Sequence, residues 1–283
     1  MDRVPLWLLV LLICKPTRPA AAPGSSRNGG GEAFNTQLLP WLQASIDTAA
    51  LPGASSLPRL AQTFELREGK HGRTLYSRQY TGENGTVAVL PLSVLVTEWN
   101  YSGAARHGTR SHAPRGASAP SDMAVFLAKH RAMLAHSPLA AYIELLPRQH
   151  NDRPIHWEPQ LLQTHLRGSH FPAFVLEKAA HVRADYAALG DSGVSFADYR
   201  WGRDVVTTRA MGGSASVGLP ESVLFPLMDM GSHSDNRNVR IMLQPWNGVG
   251  VLRMEASRPI QPGDEILNSY IDFGNTSNSI LPP

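Results

Sequence analysis

Two stretches in the last quarter of the chain decide its reading. The first is Phe225-Pro-Leu-Met-Asp-Met-Gly-Ser-His-Ser-Asp-Asn-Arg-Asn-Val239; the second is Arg258-Pro-Ile-Gln-Pro-Gly-Asp-Glu-Ile-Leu-Asn-Ser-Tyr270. Between them lies the alternating segment Val239-Arg-Ile-Met-Leu, followed by Val249-Gly-Val-Leu-Arg-Met, and both read as strands. Pro262-Gly263 reads as a turn that delivers Asp264-Glu265 to a further strand. The two polar clusters therefore sit at strand ends, where loops carry chemistry on a rigid support.

Working outward, Val223-Leu-Phe-Pro-Leu is expected to be another strand, and Phe196 to Met211 a helix that starts at Ser195 and stops at Gly212-Gly213. Upstream, Met123, Phe126, Leu127, His130 and Leu134 fall on one helical face, with Ser121 or Asp122 as its cap. Thr74-Leu-Tyr-Ser and Val87 to Val96 read as strands bounded by Gly and Pro. Short strands thus flank a helical middle. The segment Ser102–Ser121, with Arg106, Arg110 and Arg115, reads as an exposed loop. Pro16 to Glu32 reads as a flexible remnant of a leader.

Composition narrows the function. The 283 residues are 42% hydrophobic, enough for a core, and 17% charged. The 24 glycines and 22 prolines exceed the roughly 7% and 5% of average usage and indicate a loop-rich body. A net charge of +3 is too slight to mark a nucleic-acid binder. Cys14 is the sole cysteine, which excludes internal disulfides, cysteine metal sites and iron–sulfur clusters. There is no phosphate-binding G-x-x-x-x-G-K loop, H-E-x-x-H pair or G-x-S-x-G elbow. His150, His156, His165 and His170 lack metal-ligand spacing and are expected to be exposed or capping; no metal site is expected. Ser232-His233-Ser234-Asp235 has hydrolase residue types, but adjacent side chains do not form a triad by themselves.

The N-terminus has Arg3, the apolar run Leu6–Cys14 and then Ala20-Ala21-Ala22. As a helix the run spans about 14 Å at 1.5 Å per residue, half of a roughly 30 Å hydrocarbon core. This is the pattern of a secretory signal with an A-x-A cleavage site. The expected destination is the secretory pathway or an organelle reached through it, a plastid included, with no membrane attachment after cleavage. Asn84-Gly-Thr, Asn100-Tyr-Ser and Asn275-Thr-Ser are acceptor triplets for N-glycosylation in that route.

The two decisive stretches resemble SET-domain methyltransferases, specifically the branch similar to Rubisco large-subunit lysine methyltransferase, whose SET core is split by a helical insert. That family shows P-x-x-D-M-x-N-H-x-x-x-x-N and then an I-x-x-G-E-E-[IV] turn before a strand ending in tyrosine. Further pieces follow in the family's order: Lys70-His-Gly-Arg-Thr-Leu-Tyr-Ser-Arg resembles the opening Gly-rich strand, and Val89-Leu-Pro-Leu-Ser-Val-Leu-Val-Thr the next one. Tyr142-Ile-Glu-Leu-Leu-Pro and Trp157-Glu-Pro-Gln-Leu-Leu-Gln resemble the insert, and Val205-Val-Thr-Thr-Arg-Ala-Met the helix leading out of it. The resemblance covers about residues 60 to 281.

It implies an α+β fold: a β-rich SET core of short strands with a helical insert; family members generally continue into a helical C-terminal substrate-binding domain, and none is expected here. The division expected is a leader at 1–22, a flexible stretch and N-terminal helix at 23–59, and the first part of the core with its exposed loop at 60–121. The insert follows at 122–211 and the second part of the core at 212–283. It also implies methyl transfer from S-adenosylmethionine to a side-chain nitrogen, most often lysine, of a protein substrate. Tyr270 takes the family's tyrosine position at the reaction centre. Gly72, Arg73, Thr208, Arg209, Asp229, Ser232 and His233 take its cofactor-binding positions. Three departures weaken the expectation of activity, and two of them, at Ser232 and after Tyr270, together with the missing C-terminal domain, support the alternative of a catalytically inactive SET-like module that binds a protein. Ser232 replaces the family's asparagine; Thr74 stands where a second glycine is usual; and Ile271-Asp-Phe-Gly-Asn-Thr, which follows Tyr270, would in a shifted register put Phe273 at the tyrosine position.

Overall fold

The computed structural model describes residues 29–51, 53, 56–69, 72–97, 119–211, 222–246 and 249–269. Tyr270, the apolar leader and the arginine-bearing loop up to residue 118 lie outside these residues. By internal contacts the chain forms two bodies. Of the described residues, one body comprises 119–134 and 146–208; the other comprises those between 29 and 97, 135–145 and those between 209 and 269.

The strand-bearing body begins with helix α1 (Gly29–Ala33), which runs through a π-helical turn at Phe34–Leu38 into α2 (Leu39–Thr48). Gly29–Glu32 are therefore helical, where glycine content alone predicts a flexible leader. Burial explains the difference: Phe34, Leu38, Leu39 and Leu42 are nearly inaccessible, and their packing outweighs the low helix propensity of glycine. After a short helix α3 (Leu60–Thr63), β1 (Phe64–Gly69) pairs antiparallel with β2 (Gly72–Ser77) in the register Leu66↔Leu75.

Strand β3 (Thr86–Pro91) stops short of the predicted Val96, because Leu92–Val94 close into a 3₁₀ turn after Pro91. In the C-terminal part come β4 (Ser232–His233), β5 (Val239–Trp246) and β6 (Val249–Ala256), then β7 (Leu267–Asn268). A three-stranded antiparallel sheet has the order β3–β6–β5, with Leu252 opposite both Leu90 and Leu243. The alternation read at Val239, Ile241 and Leu243 is the buried face of β5. Val89 and Val251 share a cluster with Leu51, against which Ala49, Leu57 and Trp246 pack. The segment Val223–Leu227 is no strand. It makes isolated bridges, Met211↔Val223 and Val96↔Leu224, before Leu227 turns the chain with φ of 78°.

The helical body holds α4 (Ala119–Ala132), α6 (Pro159–His165), α7 (Phe171–Ala188) and α8 (Phe196–Arg209), the last residue of α8 belonging to the strand-bearing body, as does the short helix α5 (Ala140–Ile143). Helix α4 begins before the expected cap at Ser121 or Asp122. The Ser121 hydroxyl is buried instead, 2.9 Å from the Tyr199 hydroxyl and 3.2 Å from Asp185. Ser195 does cap α8, accepting from the Asp198 N–H at 3.1 Å. Ala124, Leu189 and Tyr199 form the core of this body. Gly202 lets α8 approach α4, since a Cβ there would stand 2.4 Å from the Ala124 carbonyl oxygen.

Two histidines expected at the surface are not there. His150 is 8% exposed. His156 lies with its Nε2 2.6 Å from Asp204 Oδ2, while Arg153 donates to Oδ1 at 2.5 Å. A carboxylate on α8 inside the helical body needs such partners, and chain-distant partners leave no local signature. Among the described residues no three His, Cys, Asp or Glu converge as a metal-binding group. No described helix is long and apolar enough to cross a membrane.

Candidate functional site

The two decisive stretches meet as a parallel pair, Ser232 opposite Leu267 and His233 opposite Asn268. Main-chain bonds from Ser232 N–H to Ile266 O (3.2 Å) and from Ser234 N–H to Asn268 O (2.9 Å) hold it. Asn238 locks it further: its Nδ2 donates to Glu265 O at 2.7 Å and its Oδ1 accepts from Leu267 N–H at 2.8 Å. A two-residue parallel pair is weak by itself, so this buried amide supplies the fixing contacts.

Gln261-Pro262-Gly263-Asp264 forms the turn read from the sequence. Gly263 has φ of 89°, as the third residue of a type II turn requires, and Asp264 N–H reaches Gln261 O at 3.0 Å. From there the chain runs along β2, with Ile266 N–H donating to Leu75 O at 2.7 Å and Ser77 N–H to Asp264 O at 2.9 Å. The β1–β2 hairpin, β4 and β7 thus surround one place. Thr74 and Ser232 hydroxyls lie 2.8 Å apart there, and Ser232 donates to Glu265 Oε1 at 2.5 Å. At the start of β2, Gly72 has φ of 114°, and among the described residues nothing lies within 4 Å of where a Cβ would point.

Asp229 lies beneath, on the 3₁₀ turn Met228–Met230, its side chain 1% exposed. Oδ2 accepts from the Tyr142 hydroxyl at 2.6 Å and from Arg209 Nη1 at 3.2 Å; Oδ1 is buried with no hydrogen-bond partner among the described residues. Arg209 also donates to the Asp229 carbonyl at 3.1 Å. Burial raises the Asp229 carboxyl above its usual range, against the pull of Arg209 and the Tyr142 hydrogen bond. Tyr142, on α5, is pushed well up by burial and by the Asp229 charge, so it remains a donor at every physiological pH.

Gly72, Arg73, Arg209, Asp229, Ser232 and His233 all lie in the strand-bearing body. Arg73 is exposed and donates to Leu145 O at 3.3 Å. His233 is partly exposed, 3.6 Å from Asp235. Thr208 belongs to the helical body, and its hydroxyl bonds back to Asp204 O at 2.7 Å. Tyr142, Asn238 and Glu265 were not singled out from the sequence. Asn238 had a signal, since it fills the last position of the spaced D-M-x-N-H-x-x-x-x-N pattern. Tyr142 opens the piece that resembles the family's insert, but nothing near it in sequence pointed to Asp229, 87 positions away.

Comparison with solved structures finds the same fold in the SET domain of LSMT bound to lysine and AdoHcy, with a TM-score of 0.59, 15% identity, and coverage of 82% of this chain and 54% of that one. Rubisco LSMT bound to sinefungin and monomethyllysine matches with a TM-score of 0.62 at 15% identity, covering 86% of this chain and 53% of that one. Rubisco LSMT bound to AdoMet matches with a TM-score of 0.60, at the same identity and coverages. The chain therefore spans about half the length of these structures. No curated protein sequence matches it. The family model for the SET domain matches residues 85–271, which include both signature stretches and the whole three-stranded sheet but not the β1–β2 hairpin, and the chain belongs to the SET-domain family.

Proposed function

We propose that this protein is an S-adenosylmethionine-dependent N-methyltransferase acting on a side-chain nitrogen, most simply a lysine amine, of a protein substrate. The observation that carries the reading is the parallel Ser232-His233/Leu267-Asn268 pair, which brings both signature stretches against the glycine-containing hairpin. The residues fit the cofactor. Open space beside Gly72 admits a ligand close to the backbone. The Arg209 side chain, 22% exposed, presents a guanidinium suited to a carboxylate, and Asp229 holds that guanidinium from behind. The buried Asp229 Oδ1 has no donor among the described residues, and a bound polar group would satisfy it.

S-adenosylmethionine supplies a sulfonium-activated methyl group, so the chain's residues have chiefly to position and desolvate. Alignment of this kind contributes up to about 7–11 kcal/mol. Burial of the acceptor amine lowers its pKa toward the neutral, nucleophilic form. Tyr270, at the family's tyrosine position in the sequence, is the group assigned to orient that amine through its hydroxyl.

One observation favours a second reading, a SET-like protein-binding module without catalysis. At the family's asparagine position, the Ser232 hydroxyl is engaged by Thr74 and Glu265 within the site. Calorimetry with S-adenosylhomocysteine on the chain lacking residues 1–22 separates the two. Micromolar binding, together with label transfer to lysine-rich protein that Tyr270→Phe abolishes, supports the enzyme. A folded protein that binds no S-adenosylhomocysteine is the module.

A further inference from the structure

Among the three N-glycosylation triplets only Asn84-Gly85-Thr86 falls on described residues. Asn84 is exposed in the turn that leads from Thr81 into β3. Its φ is 61°, a left-handed conformation that asparagine adopts more readily than most residues. Gly85 is required by packing, since a Cβ there would come within 2.8 Å of the Gly82 carbonyl oxygen. These two demands account for Asn-Gly as turn chemistry; they do not account for Thr86, which completes the triplet.

The amide orientation is settled by its partner. Arg240 Nη2 lies 3.0 Å from the Asn84 side chain and also donates to Glu255 Oε1 at 2.6 Å. A guanidinium only donates, so the oxygen of the amide must face it. The Nδ2 group then points the other way, from an exposed residue with a glycine on each side of its turn. Glycosylation at Nδ2 leaves the carbonyl oxygen free to keep the Arg240 bond, so the fold tolerates the modification without rearrangement.

We infer that Asn84 is an N-glycosylation site, used when the chain's own leader carries it into the secretory route. The donor class is a lipid-pyrophosphate-linked oligosaccharide. The bond from sugar C1 to the pyrophosphate oxygen breaks as the Nδ2–C1 bond forms, the amide proton passes to a base of the transferase, and lipid pyrophosphate departs. No oxidation state changes.

The test expresses the full chain with its own leader in cultured animal cells. It maps peptides by mass spectrometry after peptide-N-glycosidase, which converts a glycosylated Asn84 to Asp. Conversion at Asn84 that disappears in Thr86→Ala and persists in Thr86→Ser supports the inference, because both variants leave the Asn84–Arg240 contact in place. Unmodified Asn84 in the secreted protein overturns it at the acceptor. Modification obtained only after the leader is exchanged for a proven secretory signal overturns it at the leader.

Discussion

Replacing Tyr142 by phenylalanine tests the buried core of the site with one oxygen atom. The hydroxyl is fully buried and donates to Asp229 Oδ2 at 2.6 Å, and the other carboxyl oxygen already lacks a partner among the described residues. Arg209, at 3.2 Å, then has to hold the Asp229 carboxylate without the tyrosine hydroxyl. Hydrogen bonds to charged groups contribute about 1.5–3 kcal/mol, and the short distance places this one in the upper half. With a urea dependence of about 2–3 kcal/mol per molar, the unfolding midpoint should fall by about 1 M. Tyr80→Phe is the control, since Tyr80 is 60% exposed and its loss should stay within about 0.5 kcal/mol. On an Asp229→Asn background the cost of Tyr142→Phe should shrink to about 1 kcal/mol, because the acceptor is then neutral. Equal midpoints for Tyr142→Phe and the parent chain would refute the account of Asp229 as held by Tyr142.

Three other outcomes are expected. Because the folded-state pKa of Asp229 lies above its unfolded value of 3.8, the folded chain binds the extra proton. The stability Asp229 contributes is present below pH 3.8 and is lost as pH rises through the raised value. Asp229→Asn should therefore gain stability relative to the parent chain over that interval in pH-dependent urea unfolding; a constant difference would contradict the shift. Asp204→Ala strands the buried Arg153 guanidinium and should cost about 3–5 kcal/mol, read as a fall in melting temperature; a loss under 1 kcal/mol would mean the ion pair is not buried. Gly202→Ala forces a methyl against the Ala124 backbone and should cost about 3 kcal/mol, whereas an unchanged melting temperature would rule out the close approach of α8 and α4.

The order of elements was legible because it rests on local pattern. Alternation at Val239, Ile241 and Leu243 is a statement about one strand, and Ser195 about one helix end. Where prediction failed, the governing contact was distant. Ser121 left its capping role for Tyr199, 78 positions along, and His156 was drawn inward by Asp204, 48 positions along. Val223–Leu227 has the composition of a strand but bridges single residues on two different segments, which hydropathy does not encode.

By itself the sequence determined the family, the strand–helix–strand order and the type II turn at Pro262-Gly263, since motifs, periodicity and turn chemistry depend on near neighbours. Only the tertiary structure decided that Ser232 is consumed by Thr74 and Glu265, that Tyr142 and Arg209 hold Asp229, and that Asn238 locks the two signature stretches together. Each of these is a hydrogen bond between residues at least 20 positions apart. Its donor and acceptor are chosen by how the chain closes on itself, so no window along the sequence contains both.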